Sequence, residues 1–192
     1  MERQKKESKT LSSPSAGFMR PEKILGEVGV HTGMRVADFG SGAGYFAIPL
    51  AKLVGDEGVV YAVDIQKPVL ESVQSRVKLF TIFNIQIIRG DLEKESGSTL
   101  EAESVDMVLC ANVLYQARDK KAIIVEAKRV LVKNGRLIVI EWNTDSSALG
   151  PALKLRIPVD SLKSLAEKEG FIFKKEFDAG NHHYGLVFEM KP

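Results

Sequence analysis

A chain of 192 residues is long enough to bury one sizeable core and short for two. Its 44% hydrophobic and 27% charged residues place it with ordinary globular proteins rather than disordered or fibrous ones. A net charge of +2 gives no broad electrostatic footprint for nucleic acid, and a single cysteine, Cys110, excludes an intramolecular disulfide and a cysteine-rich metal site.

Residues 1–15 are charged and Ser-rich, contain Pro14, and read as a disordered tail. The tail lacks the apolar stretch of a secretory signal, and no run along the chain reaches membrane-span length. A cytoplasmic location with no membrane partner is therefore the expectation. Residues 16–192 read as one domain. Pro21 to Val28 suits a short helix with proline in its first turn. Arg35 to Phe39 is a strand, and Tyr45 to Val54 is a helix that Pro49 kinks or delays. Gly58 to Ile65 is a strand, Pro68 to Phe80 a helix, and Asn84 to Ile88 a short strand. The polar stretch Glu93–Ser104 reads as a surface loop.

Val105 to Ala111 is continuously apolar apart from Asp106, as a central parallel strand should be. Asp119 to Lys133 carries Ile123, Ala127, Val130 and Leu131 at helical spacing, with Asn134-Gly135 as its expected stop. Arg136 to Trp142 is the next strand, and Ser161 to Glu169 is a helix ended by Gly170. Phe171–Phe177 and Tyr184–Met190 then pair across a turn over Asp178–His183. Alternating strands and helices predict an α/β fold: a mostly parallel sheet with helices on both faces and an antiparallel last strand.

The stretch Val-Ala-Asp-Phe-Gly-Ser-Gly-Ala-Gly at 36–44 carries the chemistry. A strand ends in Asp38, and glycines follow at Gly40, Gly42 and Gly44 around Ser41, with Tyr45 beyond. Such a turn brings bare backbone close to a ligand. The acid favours a cation or a hydroxyl over a phosphate. A dinucleotide fingerprint would need a third glycine at position 45, where Tyr45 stands. The next strand ends at Asp64-Ile65, and an acid there can accept both hydroxyls of a ribose.

The spacing D-x-G-x-G-x-G resembles motif I of the class I S-adenosylmethionine-dependent methyltransferases. The likeness extends to Gly17-Phe18-Met19-Arg20-Pro21, Ala111 to Gln116, Phe177 to Gly180, and His182 to Phe188, as in a subset of small bacterial and archaeal members. The resemblance implies a Rossmann-like seven-stranded sheet of order 3-2-1-4-5-7-6, with S-adenosylmethionine as cofactor. It implies that Asp38 and the glycine loop hold the methionine end, and that Asp64 holds the ribose. Asp91 and Leu92 would meet the adenine, and the segment from Asn112 would line the methionine side.

The acceptor is less legible. Asn112-Val113-Leu114-Tyr115 lacks both prolines of the [ND]-P-P-[FY] pattern of base N-methyltransferases. One cysteine also speaks against holding arsenic. A small-molecule acceptor is expected, with no tight nucleic-acid binding and no metal, in a monomer or homodimer. A protein or RNA methyltransferase, or a binding module that transfers nothing, stands as the alternative. Phe18–Pro21, the loop Asn143–Ile157 and the His182-His183 turn are candidates to cover the cleft. His183 or His182 is the candidate base, since imidazole titrates near neutrality; equally, both could be exposed loop residues. Tyr115, Tyr184 and Trp142 could face the acceptor or pack into the core.

Overall fold

Five helices and seven strands follow one another in the alternating order that the hydrophobic pattern predicts, in a computed structural model that describes residues 19–145 and 149–191. The expectations for residues 1–15 and for Gly17-Phe18 lie outside the described residues. The elements are α1 (Pro21–Glu27), β1 (Arg35–Phe39), α2 (Ala47–Val54), β2 (Val59–Asp64), α3 (Lys67–Leu79) and β3 (Ile85–Arg89). There follow β4 (Val105–Ala111), α4 (Lys120–Val130), β5 (Leu131–Trp142), α5 (Val159–Lys168), β6 (Phe171–Asp178) and β7 (His183–Met190).

The sheet order is β3-β2-β1-β4-β5-β7-β6, with β7 antiparallel to both neighbours and the other pairs parallel. This is the expected Rossmann-like topology. The central strands are apolar on both faces because both faces are covered. Val108, Cys110, Val139 and Phe188 pack with α4 and α5 on one side. Met107, Leu109, Ile138 and Val187 pack with the α1 and α2 layer on the other. Cys110 is thus a core residue, buried and unpaired.

Pro49 occupies the first turn of α2, where its missing N–H leaves no gap in the helical ladder, so the helix starts at Ala47 and not at Tyr45. The Asn134-Gly135 pair does not stop α4. The helix ends earlier, at Val130, and passes directly into β5. Leu131 is fully buried opposite Val105, and the register then shifts, so that Met107 faces Arg136. Asn134, at φ 60°, and Gly135 form the irregularity that absorbs the extra residues. Asn134-Gly135, expected as a helix terminus, is instead a bulge inside a strand.

The Glu93–Ser104 segment is not a free surface loop. Ser98 is fully buried, and its backbone N–H donates to Glu126 Oε1 at 2.9 Å. Arg129 donates to the same carboxylate and to the Leu100 carbonyl, each at 2.8 Å. Two charged residues of α4 therefore pin a stretch whose own composition is that of a loop. The final turn is also shorter than expected, because His183 already belongs to β7, opposite Trp142.

Candidate active site

Parallel strands present their carboxyl ends at one edge, and the cleft of such a fold lies there. Two cavities that share the glycine turn lie at that edge. One, of about 330 Å³, is lined by Asp64, Ile65, Asp91, Leu92, Val113 and Ala117 among others. The other, of about 590 Å³, is lined by Met19, Asp38, Tyr45, Asn112, Trp142 and His183 among others. Gly40, Gly42 and Gln116 line both, so the glycine turn separates two compartments of one cleft.

The turn is built from backbone that only glycine adopts easily. Gly40 has φ +71°, and a Cβ there would come within 2.6 Å of Val113 Cγ2. Gly42 has φ +52°, and a Cβ there would meet nothing within 4 Å. Gly40 is therefore bare for packing, and Gly42 leaves open space beside the cleft. Asp64 secures the turn: one of its carboxylate oxygens accepts from the Gly42 N–H and the other from the Gln66 N–H, both at 2.9 Å. Arg76 of α3 adds a hydrogen bond to the Ala43 carbonyl at 2.9 Å.

Asp38 ends β1 with 2% exposure. Burial, and then the charge of Asp64, push its carboxyl up to about 7. Asp38 Oδ2, Ser41 Oγ, Asn112 Oδ1 and Trp142 Nε1 are buried without a hydrogen-bond partner. All four belong to residues of the larger cavity. Buried polar atoms are normally satisfied, so a cluster of exceptions marks a site shaped for a polar ligand.

Across the cleft, His183 is buried, and its Nε2 lies 3.0 Å from Asn112 Nδ2. Burial lowers its pKa to about 4, helped by the charges of His182 and Arg156, so the ring is neutral at pH 7 and Nε2 accepts from the amide. Trp142 packs against it with ring centroids 4.1 Å apart and the planes inclined at 41°. Tyr45 donates to the Met19 carbonyl and so ties the segment before α1 to the rim. His182 lines neither cavity. Tyr115 packs against the core cluster under α4 and also lines neither. Tyr184 is buried, and its hydroxyl donates to the Ile157 carbonyl at 2.7 Å. Of the three candidate catalytic residues, only His183 reaches the cleft.

Two further residues shape the site and were not singled out from the sequence. Gln116 donates to the Asn112 carbonyl at 2.8 Å and lines both compartments. Glu141, fully buried on β5, accepts from the Leu114 and Tyr115 N–H groups at 2.8 and 3.2 Å. A carboxylate inside an apolar strand was the available signal for Glu141. Among the described residues there is no cluster of three or more His, Cys, Asp or Glu side chains suited to a metal ion.

Residues 30–181 match a protein family described as a methyltransferase domain. The chain belongs to that family. Its fold is that of the class I S-adenosylmethionine-dependent methyltransferases. The match to a crystal structure of an S-adenosylmethionine-dependent methyltransferase from Aquifex aeolicus has a TM-score of 0.85 at 26% identity, covering 94% of this chain and 95% of that one. A ubiquinone/menaquinone biosynthesis C-methyltransferase of Pseudomonas fluorescens is 34% identical over 122 residues, 63% of this chain and 46% of the relative. The arsenite methyltransferase of Mus musculus is 29% identical over 109 residues, 54% of this chain and 29% of the relative. This methyltransferase therefore spans less than half the length of either of these two relatives.

Proposed function

We propose that the cleft transfers a methyl group from S-adenosylmethionine to a small, uncharged acceptor held in the Trp142–His183 compartment. When bound, the cofactor supplies a methyl group activated on a sulfonium for in-line displacement by the acceptor's nucleophile. The observation that carries this reading is the pair of compartments joined at Gly40, Gly42 and Gln116, with unpartnered buried polar atoms in the larger one.

Asp38 holds the cationic methionine end, because a buried carboxyl near neutral pKa is ionised fully by an approaching ammonium. Asp64 holds the ribose; with each oxygen already bonded to one N–H, it keeps lone pairs for hydroxyls. Asp91, Leu92 and Ile65 take the adenine, in the smaller compartment that they line. Among the described residues no Lys or Arg lines the larger compartment, which speaks against anionic acceptors and against a nucleic-acid strand. With its pKa near 4, His183 is a poor base at neutral pH and serves to contact the acceptor. His183→Ala should then reduce turnover only a few-fold, far from the roughly 10²–10⁴-fold loss expected for a general base.

Titration calorimetry with S-adenosylmethionine, S-adenosylhomocysteine and NAD tests the cofactor. Binding of the first two without the third is expected, and binding of NAD alone overturns the reading. Release of S-adenosylhomocysteine with a low-molecular-weight cell fraction, but not with protein or RNA fractions, is the expected acceptor result. The converse would reassign the acceptor to a macromolecule.

A further inference from the structure

The strongest unassigned feature beside the cleft is a buried guanidinium. The Arg156 side chain is 2% exposed. Its Nε donates to the Pro151 carbonyl at 3.0 Å. Its terminal nitrogens donate to the carbonyls of Asn143 at 2.8 Å, Asp145 at 3.2 Å and Leu149 at 2.5 Å. The Asp145 carboxylate lies 3.6 Å away. One planar fork thus gathers both ends of the chain that leaves β5, a task that suits arginine because its donors lie in a fixed plane.

What the fork gathers is the surround of Trp142. The Arg156 guanidinium carbon lies 5.7 Å from the centroid of the Trp142 ring. Gly150, at φ +88°, packs so closely that a Cβ would come within 2.5 Å of Trp142 Cε3. Trp142 in turn packs against His183, and His183 receives the Asn112 amide. These contacts run from Arg156 through Trp142 and His183 to Asn112, which lines the larger compartment with them. Tyr184 fixes the following residue, holding the Ile157 carbonyl from β7. A side chain serving only to tidy a surface loop has no reason to stand against the compartment's largest ring.

We propose that Arg156 is a positioning residue of the acceptor compartment, clamping the loop after β5 so that Trp142 and His183 keep their packed arrangement. The proposal rests on the reading of that compartment as the acceptor site. Arg156 touches neither cofactor nor acceptor and acts through Trp142. The adenosine compartment contains none of these residues, so the two halves of the cleft should respond separately.

Trp142 is the only tryptophan, so its fluorescence reports on the clamp directly. Arg156→Gln removes the charge and most of the fork, whereas Arg156→Lys keeps a cation. In Arg156→Gln, Trp142 emission should shift to longer wavelength and become several-fold more accessible to acrylamide. The His183 ring protons, followed by NMR, should titrate at higher pH, because a neighbouring cation has gone. The other groups that set that titration, burial and His182, stay in place. Arg156→Lys should restore most of the His183 titration and part of the Trp142 shielding. Affinity for adenosine, which reaches only the compartment that Asp64 and Leu92 line, should stay within about twofold in both variants.

Unchanged Trp142 emission and His183 titration in Arg156→Gln would overturn the proposal and reduce Arg156 to a loop brace. A collapse of adenosine affinity alongside the spectral changes would also overturn it, by extending the effect to the adenosine compartment. If Arg156→Gln fails to fold, Arg156→Lys decides alone: a red-shifted, more quenchable Trp142 supports the clamp, and a wild-type spectrum overturns it. Failure of the wild-type protein to bind S-adenosylhomocysteine would instead defeat the cofactor reading, leaving the Trp142 and His183 measurements to judge the clamp itself.

Discussion

Asp38 and Asp64 lie at the ends of adjacent strands, and their surroundings set them different tasks. The raised pKa of Asp38 means that the folded, ligand-free protein holds a proton that the unfolded chain releases near pH 4. Its contribution to stability therefore falls as pH rises from about 4 to about 7 and stays at its lowest above that. Asp38→Asn should raise the thermal midpoint of the ligand-free protein at pH 8, by roughly 4–8 °C, and leave it nearly unchanged at pH 4. With cofactor the sign reverses, because an ammonium beside Asp38 favours the carboxylate. Binding at pH 6 should release about one proton, visible as a dependence of the calorimetric heat on buffer ionisation enthalpy. Asp38→Asn should abolish that dependence. Asp64→Ala removes the proposed ribose acceptor and also the anchor of the Gly42 N–H. It should weaken S-adenosylhomocysteine binding by about 1.5–3 kcal/mol, or roughly 10- to 100-fold, in a calorimetric titration.

At the scale of elements, the cleft is held open by what stands behind it. The turn after β4 carries Asn112, Val113 and Gln116, and Glu141 of β5 caps it from inside the core. Glu141→Leu would strand two backbone N–H groups, each costing about 1–3 kcal/mol when buried. The thermal midpoint and cofactor affinity should both fall, while Glu141→Gln, which keeps an accepting oxygen, should lose much less of each. Gly40→Ala tests the opposite wall. The new methyl must displace Val113 and adopt positive φ, so stability should drop by about 1–3 kcal/mol in denaturant melts. The strand and helix pattern was legible here because apolar periodicity is local. The early end of α4 and the pinned 97–100 segment were not, because each depends on partners far along the chain: Val105 opposite Leu131, and Glu126 with Arg129.

The whole molecule presents one functional edge. β7 runs against its neighbours, so its first residue, His183, meets the last residue of β5, Trp142. That reversal brings the start of β7 to the same rim as the glycine turn. No helix among the described residues is long and apolar enough to cross a membrane. With a net charge of +2 and, among the described residues, no Lys or Arg lining the larger compartment, RNA and DNA should bind no better than micromolar at physiological salt. Filter binding across a salt series checks this, and a steep salt dependence with submicromolar affinity would contradict it.

The sequence by itself determined the sheet, its order through the family resemblance, and the glycine turn with its flanking acids. Asp38, the three glycines, Asp64 and Asp91-Leu92 are contiguous signals, each written beside the strand that presents it. Tertiary structure decided the acceptor side. It kept His183 and dropped His182, although the two are neighbours, because strand pairing turns one into the cleft beside Trp142 and leaves the other outside. It also moved Tyr115 out of the cleft and brought Gln116 in, and it set Glu141 and Arg156 behind the walls. Local chemistry can announce a ligand turn, because that turn is built from consecutive residues. A pocket wall is assembled from five separate segments, and only the packing of the sheet edge brings them together.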